Sequence, residues 1–490
     1  MNPRPRQLLV LLHGDLVGTL TRAQGDRVTF AYDDAYRQRR DATPLSLSMP
    51  LAVAEHENRV VSPFIENLFP ERPEVLERWA RAAGVSAKSL FDLLAYVGED
   101  CAGAARYVLP ERREEALTTS SVDWLTPADI AEHLRRLRVD PAAWHIPPES
   151  GGFSLAGVQA KVALLFDGER WGRPRGRMAT THILKPAIPR FVDQDVNEHL
   201  CLRLCARLGI PASTSSVMSF DDERVIVVER YDRVRSADGW RRVHQEDMCQ
   251  SLGLPPARKY ENERGPGVSD VARLLREYVA PERARWAIER FRDALIVSWL
   301  ISAPDGHAKN YSVLLAGRQV RLAPLYDINS LAPYPEFDFQ KSTLAMRIGK
   351  RYRITDITRT DWERCAATLG MDGESVVERI RELAVRIPDE LATLTRDPEI
   401  VAMGSRMPSL LLDGVTTRVA MLAPRLDRAS KPLPGHSRQD VGERASSIAD
   451  LGDAELSERA MRARPTDDGL QTETFSASRG GPDEDGLLGR

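Results

Sequence analysis

The chain opens on strand-period patterning and then changes to helix-period patterning. "QLLVLLHGDLVGTL" sets two apolar runs on either side of a His-Gly-Asp turn, and "RVTFAY" alternates, so residues 7–32 are expected to be strands. "TPLSLSMPL", residues 43–51, is bounded by prolines and expected to be extended; "SPFIENLFPE" is expected to be a short apolar turn bracketed by Pro63 and Pro70. "PEVLERWARAAG" and "AKSLFDLLAYVG" carry helical spacing, and each ends on a glycine, as a C-cap does. "GEDCAGAARYVL" returns to a strand. Residues 1–110 therefore form one α+β unit of ordinary domain size.

Beyond it, residues 111–150 are expected to be a helix and a linker. "TPADIAEHLRRLRV" is amphipathic, with Thr126 at its N-cap and Pro127 at its first position, and "DPAAWHIPPESGG" follows as linker. A second unit spans residues 151–428. It starts with a small-residue loop and a strand ("GGFSLAGVQAKVALLFDG"), a short strand ("THILKP"), a helix ("DVNEHLCLRLCARLGI") closed by Gly209, and a buried-type strand ("VIVVERYD"). Helices run on to "ALIVSWLI" near residue 300, "VLLAG…VRLAP" patterns as a hairpin, and Thr360 to Glu363 ("TDWE") reads as a capping box. From about Ala429 the chain turns polar. Residues 429–490 bury too little apolar surface to offset their ordering entropy and are expected to be mostly disordered.

Composition changes this picture mainly by exclusion. The 490 residues exceed what a single core usually serves, and 42% hydrophobic with 28% charged residues is ordinary for a globular chain. A formal net charge of −3 offers no global basic field for direct nucleic-acid binding. The five cysteines, Cys101, Cys201, Cys205, Cys249 and Cys365, are odd in number and irregularly spaced, which argues against a disulfide framework or a zinc site. Cys201 and Cys205 share a helix face and read as core. "LLVLL" is too short for a secretory core, and "ALIVSWLI" is far below the ~20 residues of a membrane helix, so no membrane contact and a cytoplasmic location are expected.

The chemistry gathers at "SAPDGHAKNYSV". A turn needs Asp-Gly; it does not need His307, Lys309 and Asn310 as well. Asp305 and Asn310 stand five positions apart, the spacing with which a protein-kinase catalytic loop aims a proton-accepting Asp and a metal-holding Asn at one point. Asp327 in "APLYDIN" follows the hairpin, where a kinase places the carboxylate that closes the Mg²⁺ site. Lys185 ends a strand that follows the small-residue loop 151–161, and it suits neutralisation of phosphate charge. Glu198 on the next helix is within reach of it, but a charged residue there reads first as part of a solvated face. Ser154, inside the loop, is a hydroxyl beside the expected phosphate site. "VVERYD" suits a hinge at which the backbone of Glu229, Arg230 and Tyr231 would face adenine. Loop, lysine, helix, hinge, Asp-x4-Asn and metal Asp occur in the order a bilobal kinase requires.

"SLAGVQAK", "THILKP", "VERYDR", "QEDMCQSLGLP", "KYENERGPG", "DGHAKN" and "PLYDI", with "PLSLSMPL", "PFIENLFPE" and "GEDCAGA" ahead of them, resemble the HipA-type toxin kinases of bacterial toxin–antitoxin pairs over residues 7–425. The resemblance implies an α+β, bilobal protein-kinase-like fold with an N-terminal α+β subdomain and a helical C-terminal lobe. It implies ATP and Mg²⁺, with Asp305 as catalytic base and Asn310 and Asp327 as metal ligands. Ala156, Gly157, Val158, Gln159, Ala160 and Lys161 would form the phosphate loop. Lys185, the hinge Glu229 to Tyr231, Gln245, His307 and Tyr326 would also contact the nucleotide. Ser154 matches the serine that family members autophosphorylate, which ejects the loop. The implied partners are a HipB-like helix-turn-helix antitoxin, operator DNA mainly through that antitoxin, and a protein substrate, glutamyl-tRNA synthetase being the family's best-known one. Pro304 and the tail after 429 depart from the family pattern; Pro304 biases residue 303 to extended geometry and stiffens the loop. A kinase-like phosphotransferase acting on a small molecule or lipid headgroup, and a catalytically silent co-repressor, remain as alternatives.

Overall fold

The computed structural model describes residues 5–144, 153–236 and 239–427. The end of the expected linker, the first two glycines of the phosphate loop and the expected disordered tail lie outside the described residues. In the N-terminal unit, strands β1 (Gln7–Leu12), β2 (Asp15–Arg22), β3 (Val28–Tyr32), β4 (Glu55–His56) and, after a short β5 (Asp100–Cys101), β6 (Ala105–Val108) build a sheet in the order β4-β3-β2-β1-β6. The β1–β2 turn sits at His13 and Gly14, both at positive φ. Helices α1 (Asp34–Arg37), α2 (Asn58–Glu66), α3 (Pro73–Ala83) and α4 (Leu90–Val97) complete it.

Two local expectations fail here. Residues 58–66 are helical with Pro63 inside, because Val61, Phe64 and Ile65 fall on one face and are buried. That burial outweighs the one backbone bond proline forfeits. "TPLSLSMPL" does not run extended; it folds back on itself, Met49 N donating to Ser46 O at 3.0 Å. Both helix-ending glycines hold, for different reasons. Gly84 is left-handed at φ 66°, while at Gly98 a Cβ would lie 2.4 Å from Leu94 O.

Next come α5 (Arg113–Thr118), β7 (Ser120–Leu125) and α6 (Pro127–Val139), whose Thr126–Asp129 capping box is in place. They are followed by β8 (Phe153–Ser154), β9 (Val162–Phe166), β10 (Trp171–Gly176), β11 (His182–Pro186), α7 (Gln194–Arg207), β12 (Ser215–Phe220) and β13 (Glu223–Glu229). The small-lobe sheet runs β12-β13-β11-β9-β10-β7, and β8 pairs in parallel with β5. A hairpin of β14 (Arg233–Ser236) and β15 (Gly239–Arg242) leads to β16 (His244–Asp247), α8 (Met248–Ser251), α9 (Val268–Tyr278) and α10 (Pro281–Leu300). β16 then pairs with the hairpin of β17 (Ser312–Ala316) and β18 (Gln319–Leu322), and α11 (Arg359–Thr368), α12 (Gly373–Leu394), α13 (Pro398–Ala402) and α14 (Met407–Leu422) finish a helical lobe. The capping box of α11 is Thr358 with Asp361, two residues ahead of the expected one.

Two large apolar cores explain the layout. One fills the helical lobe and includes Trp299, Trp362 and four of the cysteines, Cys201, Cys205, Cys249 and Cys365. The other is continuous from Leu8, Phe30 and Phe64 of the N-terminal unit to Val162, Leu184 and Val225 of the small-lobe sheet. Trp144, in the stretch expected to be linker, is fully buried in it, its ring 6.5 Å from that of Trp79.

Charges are buried at the seam as well. Arg230 donates to Asp232, to Thr180 and to Cys101 O, while Arg233 donates to Asp100 at 2.9 Å and to Gly103 O. Burial would raise the Asp100 carboxyl, but the guanidinium groups of Arg233, Arg242 and Arg230 outweigh it and hold it well below the ordinary range. Each charge in this cluster is compensated, so β5 is fastened to the strand end beside β13.

Glu246, fully buried on β16, accepts from Leu47 N at 2.8 Å and from Ser46 Oγ. Burial pushes its carboxyl up to about 7. A folded-state value raised above the unfolded one means the folded chain holds the proton longer, so this contribution to stability is lost as pH rises from about 4.5 through 7. Glu246→Gln is expected to leave urea stability unchanged at pH 4.5 and to raise it by roughly 2–3 kcal/mol at pH 8. Midpoints of wild type and variant that differ equally at both pH values would rule this out.

Candidate active site

The segment expected to be the catalytic loop follows α10, with Ile301 and Ala303 still buried beyond the helix end at Leu300. Ser302 adopts φ 56°, and Pro304 O is pinned by Ala345 N at 2.9 Å. An ordinary decorated turn would be solvated. Here Asp305, His307, Lys309 and Asn310 are all buried, none more than 7% exposed. Such burial is costly unless each group is compensated. Asp305 Oδ1 accepts from the Tyr260 hydroxyl at 3.0 Å, and His307 Nε2 lies 3.9 Å from the same oxygen, with the His307 ring edge-on to Tyr260. Asn310 Nδ2 donates to Asp327 Oδ2 at 3.0 Å. Asp327 reaches it from the loop after the β17–β18 hairpin, at φ 62°, a left-handed conformation that aspartate tolerates better than most residues. Asp305, Asn310 and Asp327 line one cavity with Gly306 and Tyr326.

Lys185 on β11 and Glu198 on α7 are both fully buried, the ammonium 2.9 and 3.0 Å from the two carboxylate oxygens. The reading of Glu198 as part of a solvated face is thus corrected. α7 lies with Gln194, Asp195, Val196, Asn197 and Glu198 all buried, so it has no polar outer face at its N-terminal end. Gln194 Nε2 donates to Glu198 and to Asn329, which fixes the carboxylate's orientation. A β-strand lysine held by a helix glutamate is what a kinase needs to place an ammonium on phosphates.

Of the expected phosphate-loop residues, Gln159 reaches the neighbourhood of that pair. Gln159 Nε2 donates to Pro186 O, next to Lys185, and Gly157 takes φ 105°. Lys161 does not project from the loop; its ammonium donates to Ala156 O at 2.7 Å and lies 5.0 Å over the Trp144 ring. Ala160 is buried with it. Ser154 is fully buried and its hydroxyl donates to Leu68 O at 2.7 Å. At the hinge, Glu229 N and Arg230 N donate to Thr214 O and Thr181 O. Two of the three N–H groups are therefore spent in the fold, and a base would have to use Tyr231's. Tyr231 donates its hydroxyl to Gln245 Oε1, and its ring faces Tyr326 at 5.8 Å. Tyr326 in turn donates to Lys309 O at 2.7 Å. Tyr231, Gln245 and Tyr326 thus lie together behind the catalytic loop.

The donor set suits Mg²⁺. Asn310 and Asp327 supply hard oxygen ligands at one point, and Mg²⁺ is held by one or two carboxylates plus nucleotide phosphates rather than by an all-protein cage. Among the described residues no group of three or more His, Cys, Asp or Glu side chains is placed so that it could hold a metal ion. Several participants were not singled out from the sequence: Tyr260, Gln194, Asn329 and Asp247. Tyr260 and Asp247, the latter accepting from Lys309 Nζ at 2.7 Å, lie in "KYENERGPG" and "QEDMCQSLGLP", but only proximity in space gives them partners. No described helix is long and apolar enough to cross a membrane.

Comparison with known proteins follows the same division of the chain. Residues 8–108 match the model for the HipA N-terminal domain, and residues 153–391 match the model for the HipA-like C-terminal domain. "Putative kinase Y4mE" of Sinorhizobium fredii is 36% identical over 421 residues, covering 85% of this chain and 98% of its own length. The serine/threonine-protein kinase toxin HipA of Shewanella oneidensis is 29% identical over 382 residues, covering 74% of this chain and 84% of its own. The solved structure of HipA with HipB and operator DNA from that organism superposes with a TM-score of 0.71 at 24% identity, over 86% of this chain and 97% of its own.

Proposed function

The chain belongs to the HipA family of kinase toxins, and on that premise we propose that it transfers the γ-phosphoryl group of ATP to a serine or threonine hydroxyl of a protein, with Asp305 as the base. The observation that carries the reading is the meeting of Asp305, Asn310 and Asp327 at one buried cavity from two separate stretches of chain. The hydroxyl oxygen forms its bond to the γ-phosphorus as the bond to the β-phosphate oxygen breaks; ADP leaves, and the hydroxyl proton passes to Asp305. Bound at Asn310 and Asp327, Mg²⁺ would neutralise charge on the phosphate oxygens. Lys185, oriented by Glu198, places a further positive charge beside the phosphate loop. Tyr260, by donating to Asp305 Oδ1 at 3.0 Å, holds the carboxylate that accepts the proton in place.

The substrate is proposed to be a translation-related protein, an aminoacyl-tRNA synthetase by family resemblance. The partner is a HipB-like antitoxin that would bring the chain to operator DNA; a net charge of −3 suits DNA contact through a partner rather than directly.

Self-phosphorylation at Ser154 is part of the same reading. A phosphoserine carries close to two negative charges and accepts rather than donates hydrogen bonds. It is therefore incompatible with a fully buried position whose hydroxyl donates to Leu68 O. Phosphorylation would expel the loop and stop turnover. Incubation with γ-labelled ATP and Mg²⁺, followed by peptide mapping, is expected to give phosphoserine at Ser154 and self-limited turnover, with Ser154→Ala remaining active. Label found only on small-molecule hydroxyls, or turnover in Ser154→Ala that stops as early as in wild type, would overturn it.

A further inference from the structure

One short strap of the N-terminal unit, Asn67 to Arg72, touches both halves of the kinase centre. On one side it holds the phosphate loop: Leu68 O accepts from Ser154, Glu71 N donates to Gly157 O at 3.0 Å, and Arg72 Nε donates to Val158 O at 2.7 Å. On the other side it holds the catalytic loop. Lys309 Nζ donates to Asn67 Oδ1 at 2.7 Å and to Asp247 at 2.7 Å. The Glu71 carboxylate pairs with Lys259 at 2.5 Å, Lys259 O accepts from Ala308 N, and the next residue, Tyr260, donates to Asp305. The last turn of α2 and the segment after α8 also anchor the strap, Asn67 donating from its amide to Pro63 O and to Leu254 O at 2.8 Å each.

We infer that this strap, although outside the kinase core in sequence, is a positioning element of the reaction: Asn67 and Glu71, through Lys309 and Lys259, set the catalytic loop against a phosphate loop held by the same strap. The residues it places need alignment to well under an ångström for full rate. Loosening the side-chain contacts while the backbone contacts to the phosphate loop persist should therefore slow chemistry and spare nucleotide binding.

The inference rests on the reading of Asp305 as the base, and the experiment separates the two. Turnover of γ-labelled ATP with Mg²⁺ is measured on the full chain, counting label on protein and as inorganic phosphate together, alongside MgATP affinity by calorimetry. Asn67→Ala and, as a second variant that keeps every backbone contact, Glu71→Gln are each expected to lower kcat by tenfold or more with MgATP affinity within threefold of wild type. Glu71→Asp, which keeps a carboxylate for Lys259, is expected to recover part of the rate lost in Glu71→Gln. Both variants turning over at the wild-type rate while Asp305→Ala is inert would overturn the strap and leave the base standing. The same follows if Glu71→Asp is as slow as Glu71→Gln, or if rate and affinity fall together with the melting temperature. An active Asp305→Ala would instead overturn the base.

Discussion

Asp305→Ala is expected to lower phosphoryl transfer by on the order of 10²–10⁴-fold, the range over which a positioned general base contributes. MgATP affinity should stay close to wild type, because Asp305 makes no contact that binding the nucleotide requires. It sits between the Tyr260 hydroxyl and His307, in the cavity it shares with the Asn310–Asp327 pair, and as the base it acts on the attacking hydroxyl rather than on the nucleotide. The loss should therefore appear in kcat and in kcat/KM alike, the signature of an interaction made in the transition state. Single-turnover rates with labelled ATP, measured beside equilibrium binding, give both quantities. A variant that transfers phosphate at the wild-type rate would show that another group takes the hydroxyl proton. Removing the side chain takes an acceptor from the Tyr260 hydroxyl, a cost of about 1–3 kcal/mol that is small against the ~5–15 kcal/mol stability of a typical folded protein.

Asp327→Asn is expected to act on the other step. A unit charge about 4 Å from another is worth about 4 kcal/mol at an effective dielectric of 20. Removing one carboxylate charge from a divalent ion, with water repaying part of the loss, should then raise the MgATP dissociation constant on the order of 10²-fold. ATP without Mg²⁺ should bind the variant no worse than wild type, because a negative charge near the phosphates has gone. Titrating Mg²⁺ against fixed ATP for both proteins separates these effects. Identical Mg²⁺ dependence would remove Asp327 from the metal site. The substitution keeps the side chain's shape and its hydrogen-bonding reach to Asn310, so a packing defect would not produce this pattern.

Much of the fold was legible because local patterning and burial agree. The β1–β2 hairpin, α3 with its left-handed Gly84, the Thr126 cap of α6 and the β17–β18 hairpin all stand where period and turn chemistry place them. Where local signals were overruled, a tertiary contact did it. Pro63 sits inside α2 because three apolar residues around it reach the core; the cap of α11 is the local exception, at Thr358 because Asp361 is the residue that reaches back. Glu198 shows the limit most clearly. Its surroundings on α7 look polar in the sequence, and a lysine thirteen positions earlier is a partner only once β11 and α7 are packed together.

From the order of its motifs the chain declares a kinase-like centre: an Asp and an Asn five positions apart, a later Asp after a hairpin, and a lysine ahead of them. Those are spacings along a backbone, and spacing survives translation into geometry wherever a loop is short and pinned at both ends. Which carboxylate meets the lysine, which hydroxyl leans on Asp305 and which segment spans the two loops depend on residues up to 242 positions apart, as Lys309 is from Asn67. No local pattern encodes such a pair. Contacts of that separation form only after the shared core between the N-terminal unit and the small lobe has closed, because burial in that core is what repays the cost of bringing distant charges together out of water.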